Sequence, residues 1–308
     1  MAAPHETVLL HEAVDALVSS PAGLYVDGTF GRGGHSREIL SRLDEKGHLF
    51  ACDKDEEAER EALDLAAHDN RFTFARDSFA ALPELLKARG LGEVDGILLD
   101  LGVSSPQLDQ AERGFSFQQD GPLDMRMDRS RGESAADWIA SAPEQEIVDV
   151  LRDYGEERYA KRIAGAIVKA REESPLTRTA QLATIVRDAH PRWEKHKHPA
   201  TRAFQAIRIR VNRELDDLAD LLALALSVLS VGGRLVVISF HSLEDRLVKR
   251  HFRDMSRGPQ LPRNLPVRDA ESGAQMRLLG KAMRASDSEV SGNPRSRSAI
   301  MRCAEKLA

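Results

Sequence analysis

Cysteine is nearly absent, with only Cys52 and Cys303 in 308 residues. Both sit in apolar, strand-like runs, which argues against a disulfide framework and predicts buried thiols. No C-x-x-C pair occurs, so nothing suggests a cysteine-based zinc site. Long apolar runs are also missing. None approaches the roughly 18 residues a membrane span needs, and the start Met-Ala-Ala-Pro-His-Glu lacks the basic and apolar regions of a signal peptide. No membrane partner and a cytoplasmic location are therefore expected. A basic excess is lacking too, because the formal net charge is -5, and this argues against wholesale nucleic-acid affinity.

What is present is a chain long enough, at 42% hydrophobic and 30% charged residues, to bury a full core as one large domain or a domain with an insertion. Its most informative stretch is Leu24-Tyr-Val-Asp-Gly-Thr-Phe-Gly-Arg-Gly-Gly-His35, an apolar run ending in aspartate and then a glycine-rich turn that opens a helix. Gly31, Gly33 and Gly34 carry no Cβ, so a backbone here approaches a nucleotide-like cofactor closely. The dinucleotide fingerprint G-x-G-x-x-G is broken, since Ser36 stands where its third glycine belongs. A cofactor without a pyrophosphate, whose amino-acid part carries an ammonium, suits the pattern; S-adenosylmethionine is the common one. The competing reading is an ordinary tight strand-to-helix turn.

Short apolar runs at Leu24 to Asp27, His48 to Asp53, Phe72 to Phe74 and Val94 to Leu101 alternate with helical patterns at Ser36 to Leu43, Glu56 to Ala67 and Phe79 to Arg89. That is βαβ architecture, and runs such as Ile97-Leu-Leu99 suit parallel strands covered on both faces. Ligands then bind beyond the carboxyl ends of the strands. Four carboxylates, Asp27, Asp53, Asp77 and Asp100, reach that one edge, more than turn preference alone accounts for.

After Pro106 the chain reads as helices to about Ala200, with Ile147, Val148 and Leu151 on one and Tyr159, Ile163 and Ile167 on the next. Strand signals return at Gly233 to Phe240 after an apolar helix, Leu215 to Leu229, and a final hairpin pairs Gln275 to Leu279 with Ser298 to Ala304. The expected division is a core of 1–108 and 201–308 interrupted by a helical insertion, 109–200. Charge is segregated along the chain. Cys52 to Asn70 holds eight acidic and two basic residues, whereas Arg187 to Arg213 holds eight basic and two acidic, and His241 to Arg302 thirteen against seven. Two basic segments in an acidic protein form either a phosphate-tracking face or a set of solvated helix surfaces.

The strings Tyr25-Val-Asp-Gly-Thr-Phe-Gly-Arg-Gly-Gly-His-Ser36, Asp100-Leu-Gly-Val-Ser-Ser-Pro-Gln-Leu-Asp109, Gly121-Pro-Leu-Asp-Met-Arg-Met-Asp128, Tyr154-Gly-Glu-Glu157, His198-Pro-Ala-Thr-Arg202 and Ser239-Phe-His-Ser-Leu-Glu-Asp-Arg246 closely resemble the bacterial small-subunit ribosomal RNA methyltransferase H family. The resemblance runs nearly end to end. It implies a class I S-adenosylmethionine-dependent methyltransferase, a Rossmann-like doubly wound α/β sheet, interrupted by an all-helical substrate-recognition domain. It implies methylation of the exocyclic amine of one cytosine in 16S ribosomal RNA, in the decoding region, with that RNA or the small ribosomal subunit as partner. An amino methyltransferase of DNA and a non-catalytic RNA-binding module are the other classes these features admit; the first requires base flipping, and the second predicts no cofactor binding.

Residue roles follow from chemistry and that resemblance together. Gly33, Gly34 and His35 are expected to offer backbone donors to the cofactor carboxylate. Asp53, at the next strand end, is placed to take both ribose hydroxyls. Phe79 resembles the family's adenine-contacting aromatic, although it also suits a core anchor, and Asp100 and Gln107 complete the set matched to family cofactor residues. A cytosine amine has a delocalised lone pair and needs acceptors on its hydrogens, so Asp100 with the loop Val103 to Pro106, including Ser104 and Pro106, is the expected acceptor cradle. Asp109 and Asp124 are further candidates, each equally readable as a loop-capping aspartate. Lys195, Lys197, Arg202, Arg208 and Arg210 are expected phosphate contacts, with zinc held by His190, His196 and His198 as the less favoured alternative for this segment. Phe115, Phe117 and Trp138 read as core positions that also suit base stacking.

Overall fold

The computed structural model describes residues 7–192, 198–257 and 273–308, so Lys195, Lys197 and His196 lie outside the described residues. The chain divides into two units, 1–102 with 215–308, and 103–214. The expected insertion of 109–200 thus begins earlier and ends later, because the helix carrying Arg202, Arg208 and Arg210 belongs to the helical unit.

In the first unit, α1 (Leu10–Leu17) precedes β1 (Leu24–Asp27), α2 (Gly34–Arg42), β2 (His48–Asp53), α3 (Glu56–His68), β3 (Phe72–Arg76), α4 (Leu82–Ala88) and β4 (Val94–Asp100). The second unit holds α5 (Ser105–Asp109), α6 (Ala135–Ser141), α7 (Glu144–Asp153), α8 (Ala160–Glu173), α9 (Thr179–Ala189) and α10 (Ala200–Asn212). The chain then continues through α11 (Glu214–Val228), β5 (Leu229–Ser239), α12 (Ser242–Arg257), β6 (Met276–Leu278), β7 (Met283–Arg284), α13 (Asp287–Gly292) and β8 (Ile300–Lys306).

The sheet runs β3-β2-β1-β4-β5-β8-β6, with β7 also on β8. Strands β1 to β5 pair in parallel, and β8 returns antiparallel to β5, as the predicted hairpin with β6 requires. Ile97, Leu98 and Leu99 are fully buried, which is why this strand reads as an unbroken apolar run; each such side chain contributes about 1.5–3 kcal/mol by leaving water. Local signals fix the helices. Asp55 caps α3 by accepting the Glu57 N–H at 2.9 Å, and Glu56, Glu57 and Glu59 lie in its first turn, where carboxylates oppose the helix dipole. The doubly wound order makes the gap between β1 and β4 the topological switch, the place where such sheets bind ligands.

The helical unit has its own core. Ile147 and Leu151 of α7, Ile163 and Ile167 of α8, Leu182 and Val186 of α9, and Phe204 and Ile207 of α10 form one apolar cluster with Trp138 and Ile139.

Candidate active site

At the switch point the turn after β1 is shaped by what it cannot accommodate. Gly33 caps α2 at φ +71°, a conformation unfavourable for residues with a Cβ, and a Cβ there would lie 2.7 Å from Cζ of Phe30. A Cβ on Gly34 would collide with the Thr7 hydroxyl. The turn is tied to its neighbours by polar contacts. The Gly31 N–H donates to Asp53 Oδ2 at 2.8 Å, the Asp100 N–H donates to Thr29 Oγ1 at 2.6 Å, and Arg32 pairs with Glu57 and Glu61 of α3 at 2.9 and 3.0 Å.

Four ionisable groups converge behind this turn. Asp27 is buried, accepts the Ser36 hydroxyl at 2.6 Å, and burial outweighs its hydrogen bonds to push its carboxyl up to about 6. Asp53 rises to about 6 for the same reason, although it accepts the Asp55 and Gly31 N–H groups. Asp100 is pushed well above the carboxylate range by burial and by the negative charges of Asp27 and Glu244. His35 is lowered to about 4 by burial, so its imidazole is neutral near pH 7. Its Nδ1 stands 3.7 Å from Asp100 Oδ2, beyond hydrogen-bond reach.

Two atoms of this cluster, Asp100 Oδ1 and His35 Nε2, are buried without a hydrogen-bond partner. Leaving such atoms unpaired costs about 1–3 kcal/mol each, a cost a bound ligand removes. A tight glycine cradle, an acid at the end of β2 and an orphaned carboxylate oxygen at the end of β4 together fit a small ligand carrying hydroxyl and ammonium donors.

Phe79 follows β3 on a short turn, half-buried, with its Cβ 3.1 Å from where a Cβ on Gly28 would stand. Ser78 caps that turn and donates its hydroxyl to Asp217, whose carboxylate also pairs with Lys54 at 2.5 Å. Asp217 therefore ties together the residues following Asp53 and preceding Phe79, a link the sequence did not suggest. Glu244 was missed as well. It is buried at the start of α12, where Oε2 accepts the Phe240 and His241 N–H groups at 2.8 and 3.2 Å while Oε1 lies 3.1 Å from His241 Nε2. The available signal was its position three residues after His241 in a strand-to-helix turn, the spacing of a carboxylate that caps a helix.

The remaining predicted residues lie in the helical unit. The Ser104 N–H donates to Gln107 Oε1 at 2.9 Å, a cap for α5, and the Pro106 carbonyl accepts the Gln110 N–H at 2.9 Å. Asp109 is exposed at the end of α5. Asp124 grips Arg126 with both oxygens at 2.8 and 2.9 Å; burial opposes its ionisation, but these bonds hold its carboxyl below the usual range. Asp124 thus has the geometry of a loop clamp.

Two predicted phosphate contacts are engaged elsewhere. Arg208 forms a two-pronged pair with Glu214, both bonds 2.8 Å, and Arg210 reaches Glu146 at 3.2 Å and Glu133 at 3.6 Å with its guanidinium over the Trp138 ring. Arg202 is half-buried on α10. Phe115 and Trp138 are buried in the core, Phe117 stacks on His198 with ring centres 4.6 Å apart, and His190 faces Glu157 at 3.6 Å.

With this geometry in view, the chain was compared with known proteins. The sequence pattern of the MraW methylase family matches residues 2–307. "Ribosomal RNA small subunit methyltransferase H" of Thioalkalivibrio sulfidiphilus is 58% identical over 306 residues, which is 99% of this chain and 98% of that one. Its namesake in Alteromonas mediterranea is 56% identical over 306 residues, 98% of this chain and 97% of its own. A solved structure, a putative rRNA-methylase from Clostridium thermocellum, aligns with TM-score 0.45 and 11% identity over 99% of this chain and 98% of that one. With the family pattern spanning residues 2–307 and relatives 56–58% identical over nearly the whole length, the chain belongs to the MraW methylase family and is a methyltransferase.

Proposed function

We propose that this methyltransferase transfers a methyl group from S-adenosylmethionine to the exocyclic amine, at the 4-position, of a specific cytosine in 16S ribosomal RNA near the decoding centre. The observation that carries the reading is Asp100, which presents a buried, unpartnered oxygen at the switch point and is followed in the chain, after Leu101 and Gly102, by Val103 to Pro106. When bound, S-adenosylmethionine supplies a methyl group on a sulfonium centre. Asp53 keeps lone pairs beyond those used by Gly31 and Asp55 and would take the ribose hydroxyls. Gly33 and Gly34 admit the amino-acid end. Asp100 would accept a hydrogen of the cytosine amine, restoring lone-pair density on the nitrogen; as the N–C bond forms and the sulfonium C–S bond breaks to leave a thioether, the surplus amine proton would pass to Asp100. Methylation of purified small subunits and of protein-free 16S ribosomal RNA, followed by mass spectrometry of nuclease fragments, tests the proposal. A methyl group on a cytosine amine is expected. A methylated ribose, a methylated duplex DNA instead of RNA, or binding without turnover would each overturn it.

Asp53→Ala is expected to weaken S-adenosylmethionine binding by about 1.5–3 kcal/mol, the range for hydrogen bonds to a charged group. The pH dependence has a definite sign. A carboxyl raised to about 6 is increasingly protonated as pH falls through that value, and the protonated form is a poor acceptor for two hydroxyls. Affinity should therefore fall on acidification below pH 6, by at most about tenfold per pH unit, and the Asp53→Ala protein should show a flatter profile. Calorimetry from pH 5 to 8 measures both; identical profiles in two folded proteins would reject the assignment.

A further inference from the structure

Many arginines in this protein are paired with carboxylates. Arg42 pairs with Glu38, Arg152 with Asp149, Arg178 with Asp120, Arg187 with Asp188, and Arg208 and Arg210 with the glutamates above. In the helical unit, helix α8 and the turn before it carry a concentration of cations that are not so paired. From Arg158 to Arg171 the sequence holds five basic residues and no acidic one, within a protein of net charge -5. Arg171 is used internally, donating to the carbonyls of Ile139 and Ala142. The other four, Arg158, Lys161, Arg162 and Lys169, are exposed, and none forms an ion pair among the described residues.

Helical geometry places these cations together. Ala160, Ile163, Ala164 and Ile167 of α8 turn inward to the core, so Lys161, Arg162 and Lys169 share the outward side, at spacings of seven and eight residues. Arg158 precedes them by three and four positions. Gly165, at the centre of that side, adds no side chain between them. The residues four positions after Lys161 and Arg162 are Gly165 and Ala166, so the usual carboxylate neighbours are missing. Glu172 and Glu173 confine the positive zone to the earlier turns. Like charges clustered on one helix face destabilise it, and among the described residues no carboxylate forms an ion pair with these four cations, Glu144 Oε1 coming only within 3.5 Å of where a Cβ on Gly165 would stand. A polyanion does so, because each cation that neutralises a phosphate releases condensed counterions.

We propose that the exposed side of α8, through Arg158, Lys161, Arg162 and Lys169, is a phosphate-binding surface for the RNA substrate, and that it, rather than Arg208 and Arg210, supplies the helical unit's electrostatic grip. This rests on the RNA reading above and adds the surface by which the RNA is held. No base is read by these side chains, so the surface contributes affinity and orientation but not sequence choice.

The test is a salt titration of affinity for in-vitro-transcribed 16S ribosomal RNA, with S-adenosylmethionine affinity and melting temperature measured on the same proteins. In Lys161→Gln/Arg162→Gln/Lys169→Gln, glutamine keeps helix propensity at exposed positions. RNA affinity is expected to fall about tenfold or more near physiological salt, with the log-log salt slope flattened by about 2, roughly 0.7 per lost contact. Cofactor affinity should hold, and the melting temperature should hold or rise as the repulsion is relieved. Arg210→Gln should behave in the opposite way, melting earlier with its salt slope unchanged. Charge reversal in Lys161→Glu provides a second variant whose RNA affinity should drop further than that of Lys161→Gln. A triple variant with the parent's salt slope, beside a parent that binds RNA salt-dependently, overturns the proposal. A parent with no salt-dependent affinity overturns the RNA reading instead.

Discussion

Asp100→Asn is expected to slow methylation by about 10²–10³, the cost of removing one preorganised group from a water-excluded site, while the protein stays folded. Asparagine preserves the shape of the side chain but replaces one acceptor oxygen with a donor. The orphaned Oδ1 is the atom with most to lose, because it has no protein partner to hold it and is buried where an acceptor is electrostatically stronger than in water. His35 does not compensate, since an imidazole lowered to about 4 carries no charge near pH 7 and stands 3.7 Å away.

The same site fixes the sign of the pH profile. Asp100 titrates above the ordinary carboxylate range because of burial first and then Asp27 and Glu244. Its protonated form cannot accept the amine hydrogen, so the methylation rate should rise with pH across that raised value, and the rising limb should be missing from Asp100→Asn. Glu244→Gln removes one of the neighbouring negative charges and keeps an oxygen to cap the turn at Phe240. It should lower the Asp100 value and move the limb to more acidic pH. Single-turnover rates at saturating cofactor and RNA measure both effects. A full rate in Asp100→Asn would remove Asp100 from the acceptor cradle, and a limb moved upward by Glu244→Gln would contradict the electrostatics.

The candidate cofactor edge is legible in the sequence because that edge is made locally. β1, β2 and β4 are buried on both faces and read as continuous apolar runs, and the carboxylates Asp27, Asp53 and Asp100 sit at their ends, so topology follows from order along the chain. The sequence is misleading at α10. Arg202, Arg208 and Arg210 read as an exposed basic face, yet Ala203, Phe204, Ala206 and Ile207 at helical spacing belong to the helical core. The partner of Arg210 is Glu146, 64 positions away, and no local pattern reveals that pairing. Glu244 was illegible for a related reason. Its influence on Asp100 depends on the register of β4 against β5, where Asp100 stands opposite Ile238, a juxtaposition made only by the fold. The bare cations of α8 were overlooked because composition counts charges, whereas exposure depends on which neighbours neutralise them.

Replacing Val103 to Glu214 with a flexible linker is expected to leave S-adenosylmethionine binding measurable and to reduce RNA methylation below detection. The two units keep separate apolar cores: Leu123, Trp138, Ile163, Leu182 and Phe204 cluster within the helical unit, while Val26, Ile97, Leu218 and Val237 cluster in the other. The sheet and its switch-point residues Asp27, Asp53 and Asp100 are therefore retained. Loss of Gln107 removes at most one expected cofactor contact, about 0.5–1.5 kcal/mol, so affinity should fall by no more than roughly tenfold. A point variant probes the same division in the intact chain. Asn212 holds the loop containing Asp124, donating to the Met125 carbonyl and accepting the Met127 N–H, both at 2.7 Å. Met125 is buried there at φ +61°, a conformation that persists only where surrounding bonds enforce it. Asn212→Ala should loosen this loop, depressing RNA methylation while leaving cofactor affinity within about twofold of the parent. Calorimetry with S-adenosylmethionine and tritium transfer to 16S ribosomal RNA measure the two properties separately. RNA methylation by the shortened protein would show that the helical unit is not needed for the RNA substrate, and parallel loss of cofactor binding in Asn212→Ala would show that this loop does not act on the substrate alone.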